Sequence, residues 1–428
     1  MTQKKDIKLD HISKIEGHAK LHAVVSDQKV EKADLEIFEG SRFFEGILKG
    51  ERYDDLGPVS SRICGVCSVV HRLTSLRAVE DALDVEVTEQ TKKLRELLNL
   101  AGTLQSHALH LYFMTLPDYY GFDNAIEMAD EHKDKVERAL RLKRFANSIV
   151  RGIGGREVHP FVSVLGGFGR IPDQDELDQI LKKSERIEED VFETMKLFSS
   201  LEYPEFELDH NYFSLSQGSY FYSGPEVSCF QGEEFKTKDL EDHVEEFFKQ
   251  GNTAEFVTEK HEGNYMVGAL SRIVVKGEEL SDKSKKFRDK ILERKNSPFM
   301  NIPAQAIEVY ECLKKIQEIL RDLEVKEEEP VDFEVSSGVG YGACEAPRGI
   351  LFHKYELDDE GYCKSAEVIT PTSQNLESLQ ENVRAYLSII KEEKEEEIRS
   401  GLEELIRAYD PCISCSTHFL ELELDRKT

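Results

Sequence analysis

The stretch RICGVCSVVHRL at residues 62–73, with its counterpart DPCISCSTH at residues 410–418, dictates how this chain closes on itself. Each carries a Cys-x-x-Cys pair, Cys64/Cys67 and Cys412/Cys415, and each pair is followed by a histidine, His71 or His418. The short gap lets both sulfurs of a pair face one ion from a tight turn or a helix start. If a helix begins at Cys67, His71 lies on that cysteine's face. Zinc-ribbon pairs usually fall within about 20 residues of each other, whereas here most of the chain intervenes. A shared site would tie the two ends into one core. Spacing alone leaves a structural zinc or iron–sulfur site, a catalytic metal and unrelated thiols open. Thiolates are soft donors, so the ions in question are zinc, copper(I), nickel and iron.

Working outward, the residues between the pairs read mainly as helix. Leu94, Leu97, Leu98, Ala101, Leu104 and Ala108 recur at three- and four-residue steps, which predicts a helix from Thr88 to Pro117. A second helix is expected over Asn124–Val150, closed by the glycines of RGIGG. A third follows Asp173, whose partner Glu176 completes a capping box, and runs to about Phe198. Ala306–Leu323, Asn375–Ile390 and Glu393–Tyr409 read as further helices, the last stopped by Pro411. The alternating first 50 residues suggest strands, and residues 203–271 mixed loops and short strands. Asp332–Val335, Ile350–Tyr355 and Glu367–Thr370 suggest short strands around a Gly-rich turn, GVGYGACEAPRG. The expected architecture is mainly α with small α/β parts: a central bundle of long helices drawn from about 88–200 and 375–409, in one domain over 1–418.

The bulk numbers exclude several classes. The 428 residues carry 56 basic and 84 acidic side chains, a formal charge of -28, which repels phosphate backbones and argues against nucleic acid as a partner. Solvated helix faces account for most of the acid excess. No run of 18 apolar residues suggests a membrane span. The start, MTQKKDIKLDHISKIEGH, lacks the apolar stretch of a secretory signal, though export on a signal-bearing partner stays possible. The other four cysteines, Cys229, Cys312, Cys344 and Cys363, are scattered and read as buried small hydrophobes.

With their flanks included, the two motifs resemble those of the large subunit of nickel–iron hydrogenases. Arg62 to His71 matches that family's Arg-x-Cys-Gly-x-Cys-x-x-x-His, and Asp410 to His418 its Asp-Pro-Cys-x-x-Cys-x-x-His. Companion segments run along the chain: KIEGHAKL, FFEGILKG, GGREVHP at 154–160, YMVGALSR at 265–272, EAPRG at 345–349 and ITPTSQN at 369–375. The resemblance implies that family's helical fold and heterolytic cleavage of dihydrogen. A related scaffold, the quinone-site subunit of respiratory complex I, has lost the metal cysteines. All four are kept here, so an electron-transfer scaffold without hydrogenase activity is the lesser alternative.

Carried over by resemblance, Cys64, Cys67, Cys412 and Cys415 would hold nickel, with Cys67 and Cys415 bridging to an iron that carries carbon monoxide and cyanide. His71 would bond a bridging sulfur, Arg62 would stand in the same outer layer, and Thr372 would donate to a cyanide. Arg348 would place a fixed positive charge over the metals, flanked by Asp410. Cys412 would take the proton and pass it to Glu16. Glu45, the Val368 carbonyl and His418 would bind magnesium, although carboxylate oxygen suits that hard ion better than imidazole. Ser106 stands where membrane-bound and periplasmic relatives carry an acidic residue, which points to the cytoplasmic branch. No second cysteine set serves an iron–sulfur cluster, so the resemblance implies an iron–sulfur small subunit, with further electron-transfer subunits of flavin or heterodisulfide type. It also implies a maturation endopeptidase that cuts after His418 and removes residues 419–428.

Overall fold

The computed structural model describes residues 4–26, 29–40, 43–216, 220, 226–229, 234–261 and 263–417. His418 and the expected C-terminal peptide 419–428 lie outside them. Three antiparallel strands open the chain, β1 (Lys4–Leu9), β2 (Ala19–Ser26) and β3 (Val30–Ile37), in that spatial order. Their alternating burial matches the alternation expected there.

The helices follow. After Phe44–Leu48 and Tyr53–Ser60 come α1 (Ser68–Ala82) and α2 (Glu89–Leu109), the latter capped by Thr88, whose side chain accepts from the Thr91 N–H. This helix does not stop before Pro117. A π turn over His110–Thr115 resets the register, and Pro117 falls in the first turn of the following segment, Leu116–Tyr120, where a missing N–H costs nothing.

The second expected helix is interrupted at His132, whose ring packs edge-on against Tyr120 at 4.5 Å. It yields Ala125–Glu131 and α3 (Lys133–Gly154), closed by left-handed Gly155. The third begins with the capping box of Asp173 and Glu176 but breaks at Ile187 into Gln174–Arg186 and Glu188–Phe198. Then α4 (Asn301–Asp322), α5 (Pro371–Ile390) and α6 (Glu395–Ala408) complete the bundle. Each starts within a turn or two of its expected position, and Thr370 caps α5 just before Pro371. Residues 203–271 hold the expected short strands, which with Ile350, Phe352 and Ile369 bury a small satellite core.

One sequence expectation fails outright. Asp332–Val335 is not a strand, and most of the supposed Gly-rich turn is one: β4 (Gly338–Ala346) pairs with β5 (Gly349–Leu357), which pairs with β6 (Cys363–Ile369). The glycines are there for contact rather than for turning. A Cβ on Gly338, Gly340 or Gly342 would collide with the backbone oxygen of Ala82, Ala78 or Thr74. Glycines two apart on one strand face thus lie against residues four apart on one helix face, and β4 seats directly on the backbone of α1. Among the described residues, no helix is long and apolar enough to cross a membrane.

Candidate metal centre

Cys67 is the N-cap of α1, and the His71 N–H bonds back to its carbonyl at 3.2 Å. The sulfurs of Cys64 and Cys412 approach to 3.2 Å, those of Cys67 and Cys415 to 3.1 Å, and those of Cys412 and Cys415 to 3.1 Å. All four sulfurs lie within 4.8 Å of one another, and all four residues are buried. Each motif contributes one cysteine to each cross-pair.

The donor set fits a soft cation. Hydrogen bonding, foremost from Cys412, draws the Cys64 thiol well down; Cys412 is pushed well up, foremost by Cys415, and Cys415 foremost by burial. Four thiolates this close repel one another in a low-dielectric site, and a bound metal removes that repulsion.

Glu16 reaches the centre from the loop between β1 and β2. Its backbone bridges Cys412, its carbonyl accepts from the Ile413 N–H at 3.0 Å, and its Oε2 lies 3.3 Å from the Cys412 sulfur. The Ser414 N–H donates to the same oxygen at 3.0 Å. Gly17, at φ +86°, permits this close approach, since a Cβ there would stand 2.6 Å from that of Ile413.

Arg348 sits at the tip of the two-residue turn between Ala346 and Gly349. Its Nε donates to the Asp410 carbonyl at 2.5 Å, one Nη to Asp410 Oδ1 at 2.7 Å, and the other Nη to Ser106 Oγ at 3.3 Å. Burial opposes its charge, but Asp410 and the neighbouring sulfurs hold its pKa above the ordinary value. Asp410, in left-handed backbone at φ 51°, also accepts from Gln305 at 3.0 Å. Thr372 Oγ1 accepts from the Cys412 N–H at 3.0 Å, which leaves its own proton for another acceptor.

Arg62 departs from expectation. It is exposed, although Cys64 two residues on is fully buried. It lies on the turn after Tyr53–Ser60.

Glu45 accepts from the Val368 N–H at 2.8 Å, and burial lifts its carboxyl to about 7. Glu367 is raised by burial and by Glu246, and Glu255, buried with an unpartnered Oε2, well raised by burial and then by Glu246. These carboxylates crowd one another, but among the described residues their oxygens do not converge within reach of a single ion. Glu246, Glu255 and Glu367 were not legible in the sequence, because nothing local distinguishes them among 84 acidic residues.

The sequence reading also missed His353 and Tyr355. His71 Nε2 lies 3.7 Å from the Cys415 sulfur, and His71 Nδ1 lies 3.2 Å from His353 Nε2. The signal available was a His and a Tyr two apart on one face of the strand GILFHKYEL, a face otherwise made of glycine and leucine. The four scattered cysteines are all buried, as expected.

A profile of the nickel-dependent hydrogenases matches residues 42–148 and 245–418. The alpha chain of sulfhydrogenase 1 from Pyrococcus furiosus is 34% identical over 97% of this chain and 98% of its own length. The matching chain of the F420-non-reducing hydrogenase from Methanothermobacter marburgensis is 29% identical over 97% of this chain and 95% of its own. The crystal structure of an NAD+-reducing [NiFe]-hydrogenase in the H2-reduced state superposes with a TM-score of 0.89 at 24% identity, covering 97% of this chain and 99% of the other. The fold is therefore shared, long helices and small sheets alike.

Proposed function

The chain belongs to the nickel-dependent hydrogenase family and is the large subunit of an enzyme acting on hydrogen; from this we propose how its residues divide the work of cleaving dihydrogen heterolytically. The observation that carries the reading is the convergence of Cys64, Cys67, Cys412 and Cys415 into one buried cluster, with a carboxylate on one sulfur and an imidazole on another.

These cysteines would hold a nickel–iron centre, Cys67 and Cys415 as the bridging pair, with carbon monoxide and cyanide on the iron. When bound, that centre supplies the Lewis acid that polarises dihydrogen. The chain does the rest. Cys412 takes the proton at its sulfur, and Glu16 Oε2, already at hydrogen-bond distance, receives it and carries it outward. Arg348, fixed by Asp410 and Ser106, holds a positive charge over the site without moving. The free proton of Thr372 is available to a cyanide nitrogen. Glu45, with the Val368 carbonyl and His418, would bind magnesium, and the surrounding carboxylates favour a cation there.

Electrons need a separate path. Among the described residues, no second set of cysteines converges on an ion, so an iron–sulfur small subunit would receive the electrons. Further flavin- or heterodisulfide-type subunits would pass them on. The relatives named as subunits of larger hydrogenases support this assembly, and we place it in the cytoplasm. Maturation would end with an endopeptidase cutting after His418, which intact-mass measurement of the native protein would show as a chain lacking residues 419–428.

Elemental analysis and infrared spectroscopy of the purified complex test the reading. Nickel and iron together, with carbonyl and cyanide bands, are expected. Zinc alone would sink it.

A further inference from the structure

Three companion segments, YMVGALSR at 265–272, EAPRG at 345–349 and ITPTSQN at 369–375, meet at the turn that carries Arg348. Backbone meets backbone there. Gly268, at φ +120°, starts the helix Ala269–Lys276, and a Cβ on it would stand 3.0 Å from the Arg348 carbonyl oxygen. A Cβ on Gly349, at φ +134°, would collide with the Val267 side chain. Only glycine allows so close an approach. Asn375 closes the junction, accepting from the Val267 N–H at 2.9 Å and donating to the Val267 carbonyl at 3.1 Å.

Arg272, in the first turn of that helix, grips the turn by its carbonyls. Its Nη1 donates to the Ala346 carbonyl at 2.9 Å and its Nη2 to the Pro347 carbonyl at 3.0 Å, the two residues just before Arg348. Carboxylates take the other N–H groups: Nε and Nη2 meet the two oxygens of Glu308 at 2.7 Å each, and Nη1 meets Glu345 Oε2 at 2.8 Å. All five donors of the guanidinium are thereby placed. The carboxylates are anchored in turn. Glu308 Oε2 lies 2.8 Å from His107 Nε2, and Glu345 Oε1 accepts from the Leu215 N–H at 2.8 Å. Arg272, Glu308 and Glu345 are all buried. Asn99 on α2 donates to the Glu345 carbonyl at 3.1 Å, so three successive carbonyls leading up to Arg348 each receive a side-chain donor.

Stability alone does not call for such a cluster, because replacing buried ionic groups by packed apolar side chains is often neutral or stabilising. What the cluster supplies is place. A planar fork holds two carbonyls at a fixed spacing, which neither an apolar side chain nor a lysine reproduces. Arg348 is then secured at both ends, its backbone by Arg272 and its guanidinium by Asp410 and Ser106. We propose that Arg272 is a positioning residue for the hydrogenase reaction: acting through the backbone of the turn, it fixes where Arg348 reaches over the metal centre. This rests on the reading of Arg348 as a fixed positive charge over nickel and iron.

Arg272→Lys tests it, since lysine keeps a positive charge between Glu308 and Glu345 but cannot also hold both carbonyls. In the metal-loaded complex, at wild-type nickel and iron content, turnover per nickel should fall by about tenfold or more. Amide hydrogen exchange of residues 345–350 should quicken, while that of α3 stays as in wild type. Arg272→Gln/Glu308→Gln leaves the net charge of the cluster unchanged; it should act in the same direction, and it decides should Arg272→Lys fail to fold. A cycle with Arg348→Lys separates positioning from general support. In that background, adding Arg272→Lys should change turnover by less than about twofold, because the group through which Arg272 acts is already lost. Two losses that multiply overturn the proposal. So does unchanged exchange at 345–350, or turnover per nickel that stays at wild type while nickel content falls. A wild-type complex with no carbonyl or cyanide band counts against the nickel–iron reading alone, and the exchange comparison still shows whether Arg272 holds the turn.

Discussion

Glu16 touches the centre at two points, taking the Ser414 N–H on the same oxygen that faces the Cys412 sulfur. Glutamine keeps the shape and an acceptor for that N–H but cannot carry a proton. Glu16→Gln should retain nickel and lose turnover by about 100-fold or more, as for other positioned acid–base groups; a rate equal to wild type removes Glu16 from the proton route. A second residue reports on stability alone. His210 is bracketed by Ser378 at 3.3 Å and Asn382 at 3.2 Å, and burial lowers its imidazole to about 4. The unfolded imidazole titrates near 6.5, so the unfolded state takes up the proton first. Stability is then full above that value and is lost as pH falls toward 4. The loss from this group between about pH 7.5 and about pH 5 is ~2 kcal/mol. Denaturant titration should show His210→Gln with a pH slope shallower than wild type by that amount; equal slopes refute the assignment.

At the scale of elements, the contact between β4 and α1 matters most, because α1 carries Cys67 at its start and His71 in its first turns. The strand can lie on the helix backbone only while Gly338, Gly340 and Gly342 lack side chains. Gly340→Ala should cost about 1–3 kcal/mol from overpacking against rigid backbone and lower nickel content as α1 is displaced. Thermal unfolding and metal analysis check both, and an unchanged melting temperature would show that the two elements have slack. This is also where sequence reading failed, since three glycines in five residues signal a turn by every local rule. Only the partner helix explains them. The helix start at Thr88 and the capping box at Asp173 were legible because their signals are local, whereas the helix capped by Thr370 was expected to begin only at Asn375. The breaks at His132 and Ile187 were not legible, because neither residue is a helix breaker on its own.

Across the whole molecule, the first and last segments are stapled beside the centre. Arg407 on α6 donates to Asp118 at 2.6 Å, to the Ser13 carbonyl at 2.9 Å and to Glu403 at 2.9 Å, while Lys14 meets Asp118 from the other side at 2.5 Å. The guanidinium is buried, so removing it strands Asp118 with one partner. Arg407→Met should cost about 3 kcal/mol or more, in the range for breaking a buried pair. Hydrogen exchange should then rise in residues 10–18, including the backbone that positions Glu16, with little change in α2. Uniform loosening would mean that the staple serves general stability and not the placement of the N-terminal loop.

By itself the sequence determined the helical class, the capping box at Asp173, the cysteine pairs and, through the flanking motif residues, the kind of centre they serve. These depend on periodicity and on short, chemically specific spacings, which neighbouring residues encode. The tertiary structure decided what distant residues do to one another: Arg348 held by Asp410 and Ser106, Arg62 turned outward, Glu246, Glu255 and Glu367 crowding one another's carboxyls, and His353 set against His71. Such placements follow from how helices and sheets pack, and packing joins residues that lie tens to hundreds of positions apart. No local pattern records that.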